Sequence, residues 1–411
     1  MIELKNFCEF LDSKINTSEI EKNTYVSTEN MLQNKAGICV ATNLPDVLSV
    51  SSFQKNDILI SNIRPYFKKI YYAKFDGGCS NDVLVFRAKE NTDSKFLYYV
   101  LSDDKFFDYA TATAKGTKMP RGDKVAIMKY SVPNFDIAVQ KRIAGILGAL
   151  DDRIDVLRRE NVVLEQMAQA VFQSWFVDFD IVRAKAAGTP ESEVCEKYHI
   201  TPELYALFPS ALTPDNLPLG WEKKKLGDLA FNASETHTAQ GVEKLIFINT
   251  SDVENGVFLH NKYSVRSEMP GQAKKSIKEN DILYSEIRPI NKHFAFVNFD
   301  SKDYIVSTKF MIIRSFDINN VFYIYFFLTL KETLNSFQAL AENRSGTFPQ
   351  ITFESISKTE IVFSNRELHW YFSDYLKKTY TKIFENEKQI RALSATRDAL
   401  LPKLMNGEIE V

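Results

Sequence analysis

An internal repeat constrains the fold of this 411-residue chain more than any other feature of its sequence. The block NDILISNIRPYFKKIYYAKF, which starts at Asn56, recurs as NDILYSEIRPINKHFAFVNF, which starts at Asn280. A second pair follows in the same order, AKGTKMPR around Gly116 and RSGTFPQ around Gly346. We call these the IRP block and the GT block. Because both blocks occur twice in the same order, the sequence predicts two modules with a common frame of strands and turns.

A long amphipathic stretch follows each module. From Ile143 to Val171, apolar residues recur in alternating steps of four and three, the spacing of a coiled-coil seam. The seam recurs 229 positions later, from Phe372 to Leu400. Each copy would run about eight helical turns, which is longer than a small module can cover. We therefore predict that the two helices pair with each other; the alternative is that each helix covers only its own module.

A few seam positions are polar. They are Asn161 in the first copy and Thr379, Asn386 and Arg397 in the second. A buried Asn on a seam can specify the helix register at some cost in stability. Alternatively, Asn161 and Asn386 face water near a helix bend, and both interpretations are compatible with the sequence.

The repeat and the seams together predict two modules that contain strands, separated by two long helices. If the helices pair antiparallel, which joining them through a globular module permits, the two modules are related by a pseudo-two-fold axis. The first module is expected at 1–136 and its helical region at 137–183. A linker at 184–217 leads to the second module at 218–364 and its helical region at 365–411. A seam of this length spans roughly 42 Å, close to one turn of B-DNA at roughly 34–36 Å. Such a molecule suits a two-part DNA site, or equally a scaffold for two proteins.

Composition is typical of an ordinary folded protein. The hydrophobic fraction is 45% and the charged fraction 25%, which argues against a disordered chain. Cys8, Cys39, Cys79 and Cys195 occur singly, without the spacing of a zinc site or a disulfide framework. From this spacing we expect no metal site. No secretory leader or full membrane span is recognisable, so we expect no membrane association and a cytoplasmic location. The net charge of −2 excludes little, because a DNA-binding protein needs only local basic surfaces.

Basic residues gather at the two blocks. Arg64 belongs to the first IRP block, and Lys68 and Lys69 follow it among aromatic residues. Such a surface suits DNA phosphates, although lysines also protect the exposed edge of a sheet. Arg64 either reads a base or anchors the fold through a carboxylate, and Gly116 and Gly346 either let a loop approach DNA or meet the demand of a turn. The candidate DNA-binding residues are Arg64, Lys68, Lys69, Lys115, Gly116, Thr117, Lys118 and Arg121 in the first module, and Arg288, Lys292, Arg344, Gly346, Thr347 and Gln350 in the second.

Four further segments carry a resemblance to a known family. They are LDDRIDVLRRE, ENVVLEQMAQAVFQSWFVDFDIV, LPLGWEKKKLGDL and the terminal RDALLPKLMNGEIEV. With these segments, the chain resembles the specificity (S) subunit of type I restriction-modification systems, and the resemblance covers essentially the whole chain. SWFVDFD and LLPKLMNGE are the most specific motifs. The first module departs from the family pattern because it lacks a GWE-type opening, so its N-terminal strand is expected to be short.

The resemblance implies an α+β fold, in which two α/β target-recognition domains are separated by two long helices that form an antiparallel coiled coil with pseudo-two-fold symmetry. It also implies a targeting subunit without catalysis. It implies binding to double-stranded DNA at two half-sites separated by a gap. It also implies two modification subunits, which carry an adenine methyltransferase and its S-adenosylmethionine, and restriction subunits, which use ATP and Mg²⁺ for translocation and cleavage. The chain itself would then need no cofactor.

The motifs of catalysis are absent from the sequence. It lacks the NPPY or DPPY motif with which adenine methyltransferases hold a flipped base, and it lacks the phosphate-binding pattern GxxxxGK[ST]. Two alternatives stay open beside the targeting subunit. One is a two-ended protein scaffold without a nucleic-acid role, and the other is a nuclease whose acidic site no motif reveals.

The segment SWFVDFD joins aromatic and acidic residues at the end of the first predicted helix. Trp175, Phe176 and Phe179 stand beside Asp178 and Asp180. The first interpretation is that the three rings pack the helix against a module. The second is that they bind a partner, namely a modification subunit.

Overall fold

A computed structural model describes residues 1–238, 241–344 and 349–411, with Arg344 described by its backbone alone. The chain divides into two compact units. The first unit consists of Met1–Leu157 and Gln389–Val411, and the second of Arg158–Lys388. Each unit therefore contains one module together with a part of each long helix.

The first module has ten strands and three short helices in its described residues. Strands β1 to β10 are Ile2–Glu3, Cys8–Phe10, Lys14–Asn16, Tyr25–Val26, Ser49–Phe53, Ile58–Ser61, Ile70–Tyr72, Gly77–Cys79, Val83–Ala88 and Ser131–Val132. Helices α1 to α3 are Ser94–Ser102, Asp104–Ala112 and Lys124–Ile127. Each helix begins after an aspartate, Asp93, Asp103 or Asp123, whose carboxylate accepts a hydrogen bond from a backbone N–H of the first turn.

Two four-stranded sheets form this module. The first sheet has the order β2-β9-β6-β7 and is antiparallel throughout; the second has the order β3-β5-β8-β4, in which β4 and β8 are parallel. Ile58 and Ile60 of β6 join the core that contains α1 and α2, whereas Leu59 joins the core between the two sheets. Because both faces of β6 are covered, its sequence is a continuous apolar run rather than an alternating one.

The long helix α4, Ile137–Phe172, follows the first module and continues into a π-helical turn at Gln173–Val177. Helices α5, α6 and α7 are Asp180–Ala186, Glu191–Tyr198 and Pro202–Ala206. The segment 184–217, predicted as a linker, is thus largely folded: it buries Val194, Ile200 and Phe208 in the core of the second unit. The reason is that apolar residues lie on or just after the short helices α6 and α7, where they can reach that core.

The second module carries strands β11 to β22 in its described residues. They are Glu222–Lys225, Ala230–Asn232, Lys244–Ile248, Val253–Glu254, Val257–Phe258, Tyr263–Val265, Ala273–Ser276, Ile282–Ser285, Phe294–Phe296, Tyr304–Ser307, Phe310–Ser315 and Glu360–Phe363. Helices α8 to α12 are Leu226–Leu229, Val321–Thr329, Lys331–Arg344, Phe353–Ile356 and Arg366–Met405. In the described part of the chain, no helix combines the length and apolar character that a membrane crossing requires.

The two modules share one sheet entirely and the other in part. The sheet β12-β21-β18-β19 has the order and directions of β2-β9-β6-β7. In the other sheet, β17-β20-β13 repeats β5-β8-β4, but the fourth strand differs: β3 lies beside β5 in the first module, whereas β16 lies beside β13 in the second. The common frame of the predicted repeat is confirmed, and the modules differ in which edge is extended.

The N-terminal strand of the first module is short, in line with its missing GWE-type opening. Strand β1 pairs with β10 over two residues, whereas the corresponding strand β11 pairs with β22 over four.

The predicted antiparallel pairing of α4 and α12 is confirmed within each unit. In the second unit, Asn161 contacts Asn386 and Glu165 contacts Tyr380, so α12 runs backwards along α4. Every seam position from Ile143 to Val171 and from Phe372 to Leu400 is buried or half-buried. The apolar stripe of each helix therefore covers both its partner helix and a module.

Candidate nucleic-acid interface

The first IRP block forms one tight turn, residues 64–68, between β6 and β7. Pro65–Phe67 is a single 3-10 turn, and the residues on either side of it are left-handed: φ is 51° at Arg64 and 50° at Lys68. Pro65 is buried under the turn. The exposed residue at its tip is Tyr66.

The second IRP block repeats this backbone at residues 288–292. Arg288 and Lys292, with φ of 44° and 56°, flank the 3-10 turn Pro289–Asn291. A left-handed conformation costs a non-glycine residue about 1–2 kcal/mol, and two such residues recur at the same two positions of each module. Strain of this kind persists only where the surrounding structure holds it in place. We call 64–68 and 288–292 the IRP turns.

Each IRP turn lies beside the GT block of its own module. The Arg64 N–H donates to the Pro120 carbonyl at 2.8 Å, and Ile63 forms a bridge with Arg121. In the second module, the Arg288 N–H donates to the Pro349 carbonyl at 3.2 Å. The two repeated blocks, more than fifty residues apart in sequence, therefore form one surface in each module.

Repeated acidic residues anchor the strand that leads to each turn. The Asp57 carboxylate is buried and accepts two hydrogen bonds from Arg87, at 2.8 and 2.7 Å. Asp281 is paired in the same way with Arg314, at 2.7 and 2.9 Å. The hydrogen bonds to these carboxylates raise the pKa of both guanidinium groups.

The arginine that binds the buried Asp57 carboxylate is Arg87, so Arg64 does not anchor the fold through Asp57. Sequence reasoning did not identify Arg87 or Arg314. The signal was the Arg that ends the apolar run in both VLVFRA and FMIIRS. Arg64 itself lies half-buried with its guanidinium 5.8 Å from the centre of the Phe67 ring.

Two predicted phosphate-binding lysines of the first module are engaged within the module. Lys68 forms an ion pair with Asp104 at 3.0 Å, and Lys35 contacts the same carboxylate. The Lys69 ammonium donates to the Thr28 carbonyl at 2.6 Å, and burial lowers the pKa of Lys69. Both lysines precede β7, an edge strand, so the edge-protection interpretation suits them better than a free basic surface.

The GT block of the first module is the more exposed basic surface. Lys115 is paired with Asp123 at 2.5 Å, which lowers the pKa of that carboxyl, and Arg121 is paired with Asp82 at 3.0 Å. Thr117 and Lys118 are exposed, and Lys118 has no ion pair with any residue that the structure describes. The block therefore presents its cations outward at a bend of the chain.

The conformation of Gly116 explains why a glycine stands there. Its φ is +96°, a region that favours glycine, and the atom nearest to an added Cβ would be the Met119 carbonyl oxygen at 3.4 Å. The turn itself thus accounts for the residue.

The second module presents fewer described basic residues, but the two on its IRP turn are more exposed than Arg64 and Lys68 of the first module. Arg288 and Lys292 are exposed, and Gln350 is half-buried, with its backbone bridged to Ile287. The side chain of Arg344, and Gly346 and Thr347 altogether, lie outside the described residues.

The rings of SWFVDFD are inside the second unit. Trp175, Phe176 and Phe179 are 6%, 3% and 8% exposed. Phe176 packs edge-on against Tyr323 at 4.9 Å, and Phe179 packs on Trp221 at 5.6 Å. This arrangement is that of the first interpretation, packing, and leaves little ring surface for a partner.

A family model for the type I restriction modification DNA specificity domain matches residues 1–166 and 218–392, which is more than half of the chain. The chain belongs to this family. The two matches coincide with the two structural repeats, and each contains one IRP turn. The molecule thus has the paired specificity domains of a type I restriction-modification specificity subunit.

Two curated relatives and one solved structure illustrate the relationship. The type I restriction enzyme HindI specificity subunit of Haemophilus influenzae is 42% identical over 182 residues, which span 44% of this chain and 39% of that relative. The MjaIX specificity subunit of Methanocaldococcus jannaschii is 24% identical over 79% of this chain and 71% of its own length. The crystal structure of a type I restriction-modification S subunit from M. genitalium shares the fold, with a TM-score of 0.55, 14% identity and coverage of 98% of this chain and 95% of that one.

Proposed function

We propose that this chain reads DNA sequence for a type I restriction-modification complex. Each module binds one half of a gapped, two-part site on double-stranded DNA. The chain performs no chemistry itself and holds no cofactor. The methyltransferase, S-adenosylmethionine, ATP and Mg²⁺ belong to two modification subunits and to restriction subunits that it positions on the site.

One observation carries the proposal: the same strained turn occurs in both specificity domains, with different side chains on it. Arg64 and Arg288 occupy identical backbone positions, yet the first is half-buried and the second exposed. A shared backbone with different contact residues is what two modules need if they read different bases. The cations beside each turn, Lys118 and Lys292 above all, supply attraction to phosphates.

Mapping methylated adenines tests the proposal directly. Genomic DNA is compared between cells that carry this chain with its modification subunit and cells that carry the modification subunit alone. We expect methylation only in the first cells, at two short sequences separated by a constant gap. Methylation at one continuous sequence, or no dependence on this chain, would refute a two-part reader.

The two alternatives have their own signatures. A protein scaffold predicts that the assembled complex binds random duplexes no more tightly at low salt than at high salt. A nuclease predicts that the purified chain alone cleaves duplex DNA in the presence of Mg²⁺. We expect salt-dependent binding and no cleavage.

A further inference from the structure

We propose that Tyr66 and Ile290, the side chains at the tips of the two IRP turns, contact bases and set the base preference of their half-sites. This inference rests on the proposed function. The two residues are equivalent in the repeat, since each follows the proline of its block. They are 47% and 45% exposed.

The fold does not require an apolar side chain at either position. The buried prolines beneath them, Pro65 and Pro289, already fill the interior of the turn. Tyr66 touches its neighbour Phe67 edge-on at 4.8 Å but otherwise points outward. A single exposed apolar side chain needs no explanation, but exposed tight turns normally carry polar residues. Here the departure recurs at the same tip position in both modules, which favours a shared role for the two tips.

The charges around the tips favour DNA as that partner. In the second module, the exposed cations Arg288 and Lys292 flank Ile290 on the same turn. In the first, Lys35 and Lys68 are paired with Asp104, and the exposed cation of the adjoining GT block is Lys118. An apolar tip between cations matches a groove of DNA, where phosphates line the walls and bases the floor.

The turns are held rigidly enough to present one side chain to one position. In the first module, the Phe67 and Lys68 carbonyls accept hydrogen bonds from the Asn34 and Lys35 N–H groups, both at 2.9 Å. This brace adds to the bond between the Arg64 N–H and the Pro120 carbonyl. A tip that is fixed before binding loses little conformational freedom when it docks.

The second turn is braced at one equivalent atom, the carbonyl of its last residue, and at one different atom. The Lys292 carbonyl accepts a hydrogen bond from the Asn255 N–H at 2.7 Å, and the Ile290 N–H donates to the Gln338 side chain at 3.3 Å. Two loops and one helix thus converge on the turn in each module.

The difference between the tips fits the reading of different bases. The ring of Tyr66 can lie against a base or wedge at a base step, as apolar side chains do in many DNA complexes. The branched chain of Ile290 suits the methyl group of thymine in the major groove. The common backbone with two side chains of different shape therefore gives each half-site its own preference.

The test uses the full chain in complex with its modification subunit and selects bound sequences from a random DNA library. Tyr66→Ala and Ile290→Ala are each expected to lower affinity for the wild-type site roughly tenfold to a hundredfold. Each variant should relax the base preference at one or two adjacent positions of one half-site only. Tyr66→Phe, which keeps the ring, should retain the wild-type preference.

Two exposed apolar residues away from the tips serve as matched controls. Leu48, 91% exposed, precedes β5 in the other sheet of the first module, and Phe316, 65% exposed, follows the end of β21 opposite to the IRP turn. Their alanine variants should leave both half-sites unchanged.

The outcomes separate this inference from the proposed function. If wild-type protein selects a two-part site but Tyr66→Ala and Ile290→Ala select the same bases, the tips do not read DNA and the inference is overturned. An equal loss of affinity for all sequences would also overturn it, because that is the mark of a phosphate or packing role. If the wild-type complex selects no two-part site, the proposed function itself fails.

Discussion

At the residue scale, the candidate interface depends on which cations are free. Lys68 and Lys69 are sequence neighbours of the first IRP turn, but Asp104 and the Thr28 carbonyl engage them. Lys118 is exposed and has no ion pair among the described residues. Since a phosphate contact must displace any existing partner, the free lysine contributes more to DNA binding than the engaged ones.

This difference gives a prediction with a built-in control. Lys118→Ala should weaken binding of the complex to all duplexes and lower the slope of log affinity against log salt by about one unit. Lys69→Ala should leave that slope unchanged, because its ammonium is half-buried on the Thr28 carbonyl. Fluorescence titrations at several salt concentrations measure both slopes. Equal slopes for Lys118→Ala and wild type would exclude Lys118 as a phosphate contact.

At the element scale, three polar residues of the helix seams, Asn161, Asn386 and Arg397, are paired across the two helices rather than solvated. Asn386 is fully buried, and its amide donates to the Asn161 side-chain oxygen at 2.8 Å. Arg397 donates to Asp151 at 2.7 Å within the first unit. Of the two interpretations of the Asn pair, the structure therefore supports a role in register over exposure at a bend.

Substitutions at the pair should be strongly non-additive. Asn161→Leu leaves the buried Asn386 amide without its acceptor and should lower the free energy of unfolding by about 1–3 kcal/mol. Asn161→Leu with Asn386→Leu removes both polar groups and should restore stability to the wild-type level or above it. A double-mutant cycle by urea unfolding measures the coupling. Additive losses would show that the two side chains do not depend on each other.

At the scale of the whole molecule, each unit is assembled from distant parts of the chain. Leu401, Leu404 and Met405, at the end of α12, join the hydrophobic core that contains Ile143 and Leu147. The first module therefore does not complete its core until the last residues of the chain are in place. The second unit, by contrast, is continuous in sequence.

A single substitution near the C-terminus should therefore weaken the first unit. Leu404→Ala removes a side chain that is 2% exposed and should cost about 2–5 kcal/mol. Lys403→Ala, at the exposed neighbouring position, should cost little. Hydrogen exchange should show lost protection across 1–157. Loss confined to the end of α12 would mean that the helix frays without loosening the module.

The repeat also limits where the two modules can diverge. Their shared sheet carries the IRP turn, and its NDIL strand is anchored by Asp57 or Asp281. Their other sheet keeps three strands and adds the fourth on opposite edges. Divergence at an edge leaves the packed faces intact, so the frame tolerates it.

The sequence by itself determined the repeat, the two long helices and their seam, because these depend on periodicities of three to four residues and on local motifs. It also located the IRP and GT blocks. Neighbouring residues along one element are enough to encode such patterns.

Only the tertiary structure decided which of the marked side chains are available. The partners of Lys68, Asp57 and the Trp175 ring come from elements dozens to hundreds of residues away, Asp104, Arg87 and Phe372 among them. A cation near an IRP block looks the same in sequence whether a distant carboxylate neutralises it or not. Ion pairing and burial depend on distances in space, which no local pattern records.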